Sequence, residues 1–160
     1  MRQPPPAQLA PAPVGVRVER VSPCPVEFYR FLYGEVGRAW HWYERLHWSD
    51  DELGAFLARP EVGVWALYLN DEPAGYMELV QHPDRSVEIG YFGLMVAATG
   101  KGLGKWFLQW AIARAWKWGE IPERVWLHTC TLDHPAALPN YLKRGFVVTR
   151  TERVKAPEKP

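Results

Sequence analysis

At 160 residues with an ordinary apolar share, the chain is sized for one domain with a real core. A formal net charge of +1 gives no electrostatic case for nucleic acid or an anionic membrane surface, and two cysteines, Cys24 and Cys130, cannot build a disulfide framework. No stretch has the length and apolarity of a membrane span or a signal-peptide core, so a soluble cytoplasmic protein is expected.

Residues 1–13 carry Pro4, Pro5, Pro6, Pro11 and Pro13 and are expected to form a flexible Pro/Ala-rich tail. Residues 14–21 alternate apolar and polar, the mark of a half-buried strand; Pro23 and Pro25 end it, and Pro25 suits a first helical turn. Residues 26–36 read as a helix rich in aromatics, including Tyr29 and Tyr33. A loop dense in rings follows, with Trp40, His41, Trp42, Tyr43 and Trp48. Ser49-Asp50-Asp51-Glu52 is a capping box, opening a helix that ends near Arg59-Pro60. Residues 62–69 and 74–81 form a predicted hairpin about the turn at 70–73, and residues 87–95 give the next strand. Three glycines, Gly100, Gly102 and Gly104, lead into a helix over 103–118, with Leu108, Ala111, Ile112 and Ala115 as its apolar stripe. A strand over 125–131, a short helix over 133–144 capped by Gly145, and a final strand over 146–153 complete the chain. Residues 155–160 read as a loose tail. The order β-α-α-β-β-β-α-β-α-β predicts a single α/β domain over 14–154 with a mixed sheet.

The chain is organised around the strand, glycine turn and helix start at 87–105. Glycines let backbone approach a ligand, and the first N–H groups of a helix have no partner inside it, so this is an anion cradle suited to phosphate. It is not a Walker A loop, because Trp106 follows Gly104-Lys105 and Thr99 stands where the first glycine would be. It is not a dinucleotide fingerprint either, since the spacing is Gly100-x-Gly102-x-Gly104 with no opening βαβ unit.

The Gly102-x-Gly104 step at a helix start resembles motif A of the GNAT acyltransferase superfamily, Gln/Arg-x-x-Gly-x-Gly/Ala, with Thr99 departing at the first position. Ala137, Tyr141, Lys143, Gly145 and Phe146 fit the pattern of GNAT motif B, with His134 in place of its Asn. The element order also matches that fold from end to end. The Tyr-Phe-Gly-Leu before the glycine turn and the His-Thr-Cys-Thr-Leu-Asp-His-Pro-Ala-Ala-Leu after the fifth strand are similar to a bacterial branch for which the resemblance names no acceptor.

The resemblance implies an N-acetyltransferase that moves acetyl from acetyl-CoA to a primary amine of a small molecule in a ternary complex. It places the pyrophosphate on backbone N–H groups of Gly100, Lys101, Gly102, Leu103, Gly104 and Lys105. It runs the pantetheine arm along Phe92, Gly93 and Leu94, whose backbone would also steady an oxyanion. His134 would contact the cofactor in place of the Asn. Glu88 is the expected general base, since an alkylammonium with a pKa of about 10 must lose a proton before it attacks; a solvated or ion-paired strand Glu is the bland alternative, and His128 is a second choice. Tyr141 is the expected acid at the departing thiolate, its phenol pKa of about 10 lying above about 8.5 for a thiol. Tyr29, Tyr33, Trp40 and Trp42 are expected to line the acceptor pocket, although such rings also suit a core or a homodimer interface. His128, Cys130 and His134 lack the full spacing of a zinc site, so no metal is expected. The competing reading is a GNAT-fold CoA-binding or sensor module with little or no turnover.

Overall fold

Five strands form one sheet in the order β1-β2-β3-β4-β5: β1 (Val16–Arg20), β2 (Val62–Leu69), β3 (Glu72–Gln81), β4 (Ser86–Leu94) and β5 (Arg124–Trp126). The first four are antiparallel, and β5 joins β4 in parallel after a crossover. The computed structural model describes residues 1–6, 9–155, 158 and 159. The β2–β3 hairpin closes through Asn70 and Asp71, both at positive φ (51° and 70°), the backbone that a tight hairpin needs and that these two residue types tolerate.

Helices cover both faces. α1 (Val26–Gly37) and α2 (Asp50–Leu57) lie on one, α3 (Leu103–Ala115) on the other, and α4 (Ala137–Leu142) follows β5. Tyr29, Leu32, Tyr33 and Val36 of α1 pack with Val64, Ala66, Tyr76 and Tyr91 of the sheet. On the opposite face Leu103, Phe107, Leu108, Ala111, Ile112 and Ala115 of α3 pack on Leu67, Met77, Leu79, Val87 and Ile89. A β-bulge links the two patterns. Leu79 pairs with Ile89 but Glu78 pairs with Tyr91, so Gly90 is an extra residue and the facing of β4 switches there. Ile89 therefore faces α3 while Tyr91, two residues on, faces α1. At Gly93 a Cβ would stand 2.5 Å from Val36 Cγ1, so only glycine lets α1 lie this close to the end of β4.

The capping box of α2 forms as expected: Ser49 Oγ accepts from the Glu52 N–H at 3.2 Å, and Glu52 Oε2 accepts from the Ser49 N–H at 2.7 Å. Ser49→Ala is expected to lower stability by about 1 kcal/mol in denaturant unfolding; an unchanged midpoint would show that the cap is not used.

Four elements differ from the sequence expectation, among them α4, which spans Ala137–Leu142 rather than 133–144. α3 stops at Ala115 rather than near 118, and β5 spans only Arg124–Trp126 rather than 125–131. The expected final strand over 146–153 does not form; Val147 and Val148 are exposed. The edge it would need is taken, because the Met1 amine donates to Val125 O at 2.9 Å and the Val125 N–H donates to Met1 O at 3.0 Å. The expected N-terminal tail is anchored again where the Trp106 indole N–H donates to Ala10 O at 2.9 Å. Residues 7 and 8 of that tail, and 156, 157 and 160 of the C-terminal one, lie outside the described residues. Among the described residues no helix is long and apolar enough to cross a membrane.

Candidate active site

β4 and β5 share only three residue pairs, Ser86 with Arg124, Val87 with Val125 and Glu88 with Trp126. Beyond Glu88 the strands part. The β4 backbone from Ile89 to Leu94 keeps its β3 partner and has no strand on the other side. A cavity of about 760 Å³ opens in the gap, within the range of small-molecule sites. One wall is Ile89–Leu94, the facing wall Leu127, His128 and Cys130, and the floor the start of α3 at Gly104 and Leu108. The loop between α1 and α2 closes the far side with Trp40, Trp42, Tyr43 and Glu44.

The glycine turn has the geometry of a cradle. Gly100 and Gly102 sit at φ +75° and +76°, where an L side chain is strained, and a Cβ at either would meet nothing within 4 Å. Glycine is thus required by the backbone path and not by crowding, and the space before the turn is open. Gly102 is the N-cap of α3 and supplies no side-chain cap, so the first N–H groups of the helix stay free for an anion. Lys101 and Lys105 are exposed beside them. Thr99 lines the cavity but spends its hydroxyl on Val96 O at 2.7 Å. Arg144 Nη2 donates to Lys105 O at 2.9 Å and ties the helix start to α4. These residues fit a pyrophosphate held by backbone N–H groups.

Phe92, Gly93, Leu94, Gly104, Tyr33, Trp40, Trp42, His134 and Tyr141 all line the cavity. Glu88 does not. Its Oε1 lies 3.3 Å from His128 Nδ1, and it is His128 that reaches the cavity. Burial alone would raise the Glu88 pKa, but hydrogen bonds from His128 and His82 outweigh it and hold the carboxyl below its ordinary value. The same bond to Glu88 raises His128 above the ordinary imidazole value, against the opposing effect of its own burial.

Tyr141 is partly buried against Phe146, with ring centroids 6.1 Å apart. Burial, and then the charge of Asp133, push its phenol pKa well up. This corrects the expected acid role. A phenol at about 10 is already a weaker acid than a thiol at about 8.5, so complete transfer to a thiolate is uphill, and burial widens the gap. The group is suited to donating a hydrogen bond to a developing thiolate.

Tyr29 is a second correction. It is fully buried, lines no part of the cavity, and donates its hydroxyl to Glu78 Oε2 at 2.5 Å. Glu78 is itself fully buried and bonded through Oε1 to Arg45 Nη2 at 2.9 Å. Burial raises the Glu78 carboxyl despite Arg45, while Glu78 keeps the buried Arg45 firmly protonated. The Arg45 guanidinium also lies 4.0 Å from the Trp48 ring centre and 4.3 Å from that of Phe56, and its backbone N–H donates to Tyr33 Oη at 3.2 Å. One side chain thereby pins the aromatic loop to the sheet. Across the cavity, Trp40 meets His134 edge-on, with ring centres 5.2 Å apart. His134 Nδ1 accepts from the Ala136 N–H at 3.0 Å. Among the described residues no group of three His, Cys, Asp or Glu side chains is arranged to hold a metal, and Cys24 and Cys130 are both free thiols.

The residues that sequence reading passed over are His82, Arg45, Glu78 and Glu44. His82 had a signal: it stands six residues before Glu88, across a tight turn. The buried Glu78 had none, because a strand pattern does not say which polar residue faces a core.

Strands that part over a glycine turn leave a strand backbone and a helix N-terminus open to the same gap. Residues 27–146 match the model of the acetyltransferase (GNAT) family, and the chain belongs to that family. No curated protein matches the sequence. Solved structures share the fold at low identity. An aminoglycoside acetyltransferase from an uncultured soil metagenomic sample, solved with trehalose, is 14% identical at a TM-score of 0.64, over 91% of this chain and 96% of that one. The ribosomal-protein-alanine N-acetyltransferase of Brucella melitensis biovar Abortus 2308 is 12% identical at 0.63, over 88% and 97%. A Bacillus subtilis acetyltransferase in complex with CoA is 22% identical at 0.63, over 84% and 78%.

Proposed function

We propose that the protein transfers acetyl from acetyl-CoA to a primary amine of a small molecule, with both substrates bound at once. The observation that carries this reading is that one cavity brings together Thr99 and Gly104 at the two ends of the glycine turn, the unpartnered β4 backbone and His128, whose ring is bonded to Glu88 behind it. The neighbour solved with CoA supports an acyl-CoA ligand, and the aminoglycoside acetyltransferase supports a small amine acceptor. Acetyl-CoA would supply a thioester-activated acyl group. The N–H groups of Gly100–Lys105 would hold its pyrophosphate, with Lys101 and Lys105 beside it and His134 at the rim. The backbone of Phe92, Gly93 and Leu94 would take its arm as an added strand and present an N–H to the oxyanion.

The acceptor enters against Tyr33, Trp40 and Trp42, beside the Glu44 carboxylate, which favours a cationic amine. The ammonium loses a proton to His128 Nε2, since Nδ1 is engaged by Glu88. Glu88 acts through His128: it orients the ring and stabilises the imidazolium. The neutral amine attacks the thioester carbon, the C–S bond breaks, the extra proton on the newly bonded nitrogen passes to the departing sulfur to give the thiol, and the Tyr141 hydroxyl donates a hydrogen bond to that sulfur.

The test is a panel of small amines assayed with wild type, Glu88→Gln and His128→Gln. Each variant is expected to lower kcat/KM by about 10²–10³, with KM for acetyl-CoA unchanged. Tight CoA binding by wild type without transfer to any amine would assign the chain as a CoA-binding module instead. Full activity in both variants would remove the base assignment.

A further inference from the structure

Glu88 does not serve His128 alone. Its second oxygen, Oε2, lies 2.9 Å from His82 Nε2, so one carboxylate is shared by two imidazoles. His82 lies outside the cavity, at the β3–β4 hairpin, and its place is built. Its backbone N–H donates to Ser86 O at 2.8 Å, and its ring lies against Trp126 with centres 5.5 Å apart. The Trp126 indole N–H in turn donates to Ser86 Oγ at 3.1 Å, and Ser86 Oγ donates to Asp84 at 2.6 Å. The His82 and His128 side chains are 35% and 63% exposed, the Glu88 side chain between them 16%. Both imidazoles are more open to water than the carboxylate between them.

One carboxylate balances one positive charge, so the cluster holds one proton on its two imidazoles more readily than two. The ends differ in what happens when the cavity fills. His128 loses water and its imidazolium is disfavoured, whereas His82 stays wet at the hairpin. We propose that His82 is a positioning residue for the base: it holds Glu88 by Oε2, and it releases a proton to water as His128 takes one from the acceptor. An N–H bond of the acceptor ammonium breaks and one forms at His128 Nε2. His82 gives up its Nδ1 proton to solvent and keeps its Nε2–H on Glu88. The charge of the cluster is the same before and after, and no electrons change hands. Other charges face these groups: Glu44 and Asp133 face His128, Glu78 faces Glu88, and Asp84 faces His82.

The catalytic use of this exchange rests on the proposed acyl transfer; the coupling of the two imidazoles does not. The test is therefore made twice. Nitrogen-15 NMR titration of the ring nitrogens, on protein without substrates, follows His128 in wild type, His82→Gln and Glu88→Gln. Two inflections are expected in wild type, because the two rings share one carboxylate. His82→Gln keeps a donor on Glu88 and removes the competing charge, so His128 should show one inflection, moved upward by about one pH unit. Glu88→Gln should move it downward. The acid limb of kcat/KM should follow the same two directions in the transfer assay. A single His128 inflection that His82→Gln does not move would overturn the proposal. Coupled imidazoles in a protein that transfers to no amine would overturn the acyl-transfer reading and, with it, the catalytic use of His82. Transfer whose acid limb ignores His82→Gln would overturn the role of His82 alone.

Discussion

Gly104→Trp is expected to abolish the stabilisation that acetyl-CoA gives the wild-type protein. Gly104 is the second residue of α3 and part of the cavity floor. A Cβ there would meet only Leu94 Cδ1, at 3.7 Å, so a larger side chain grows into the cavity and not into the core. Helical backbone accepts Trp, and removing a glycine from a helix does not weaken it. The indole would cover the free N–H groups at the helix start. At a ligand concentration about a hundred times Kd, wild type should gain about 2.7 kcal/mol, roughly 5–10 °C in Tm for a chain of this size. The variant should gain nothing while keeping its own Tm close to that of the free wild type. Thermal unfolding with and without acetyl-CoA measures both. A wild type that saturating acetyl-CoA leaves unmoved would end the cradle assignment and every catalytic role built on it.

Arg45→Met should lower stability by about 3–5 kcal/mol, because it leaves the Glu78 carboxylate buried without its cation. The variant also loses the guanidinium between Trp48 and Phe56. If the unpaired charge is the cause, Arg45→Met with Glu78→Met should recover most of the loss, since two apolar side chains fill the volume with nothing left to desolvate. Denaturant unfolding of the two single variants and the double one gives the comparison. A loss below about 1 kcal/mol in Arg45→Met would mean that the pair does not hold the loop.

The first strands and the glycine turn were legible because each has a local cause: alternation for β1, a short apolar run ending in Asn70 and Asp71 for β2 and its turn, and the glycine spacing before α3 for the cradle. The apolar stripe of α3 was legible for the same reason. What failed depends on a partner elsewhere in the chain. Residues 146–153 are rich in Val and Thr like a strand, but composition does not provide an edge, and Met1 holds the one at Val125. Tyr29 and Tyr33 are neighbours on one helix, yet Tyr33 borders the cavity and Tyr29 turns to Glu78. Their separation is set by the β3 side chain beneath them. Glu88 was found as a residue and misplaced as a contact, because whether it faces the cavity depends on His128 lying in front of it.

The parting of β4 and β5 divides the site by how it can be inherited. The half that would meet the acyl donor is largely main chain, which most substitutions leave untouched. The half that would meet the acceptor is side chains, drawn from segments about ninety positions apart at Trp40 and His128. A single codon change there alters one ring and leaves the sheet as it was. A lineage built on this frame can therefore exchange acceptors in small steps while its donor half drifts without consequence, so long as the glycines stay.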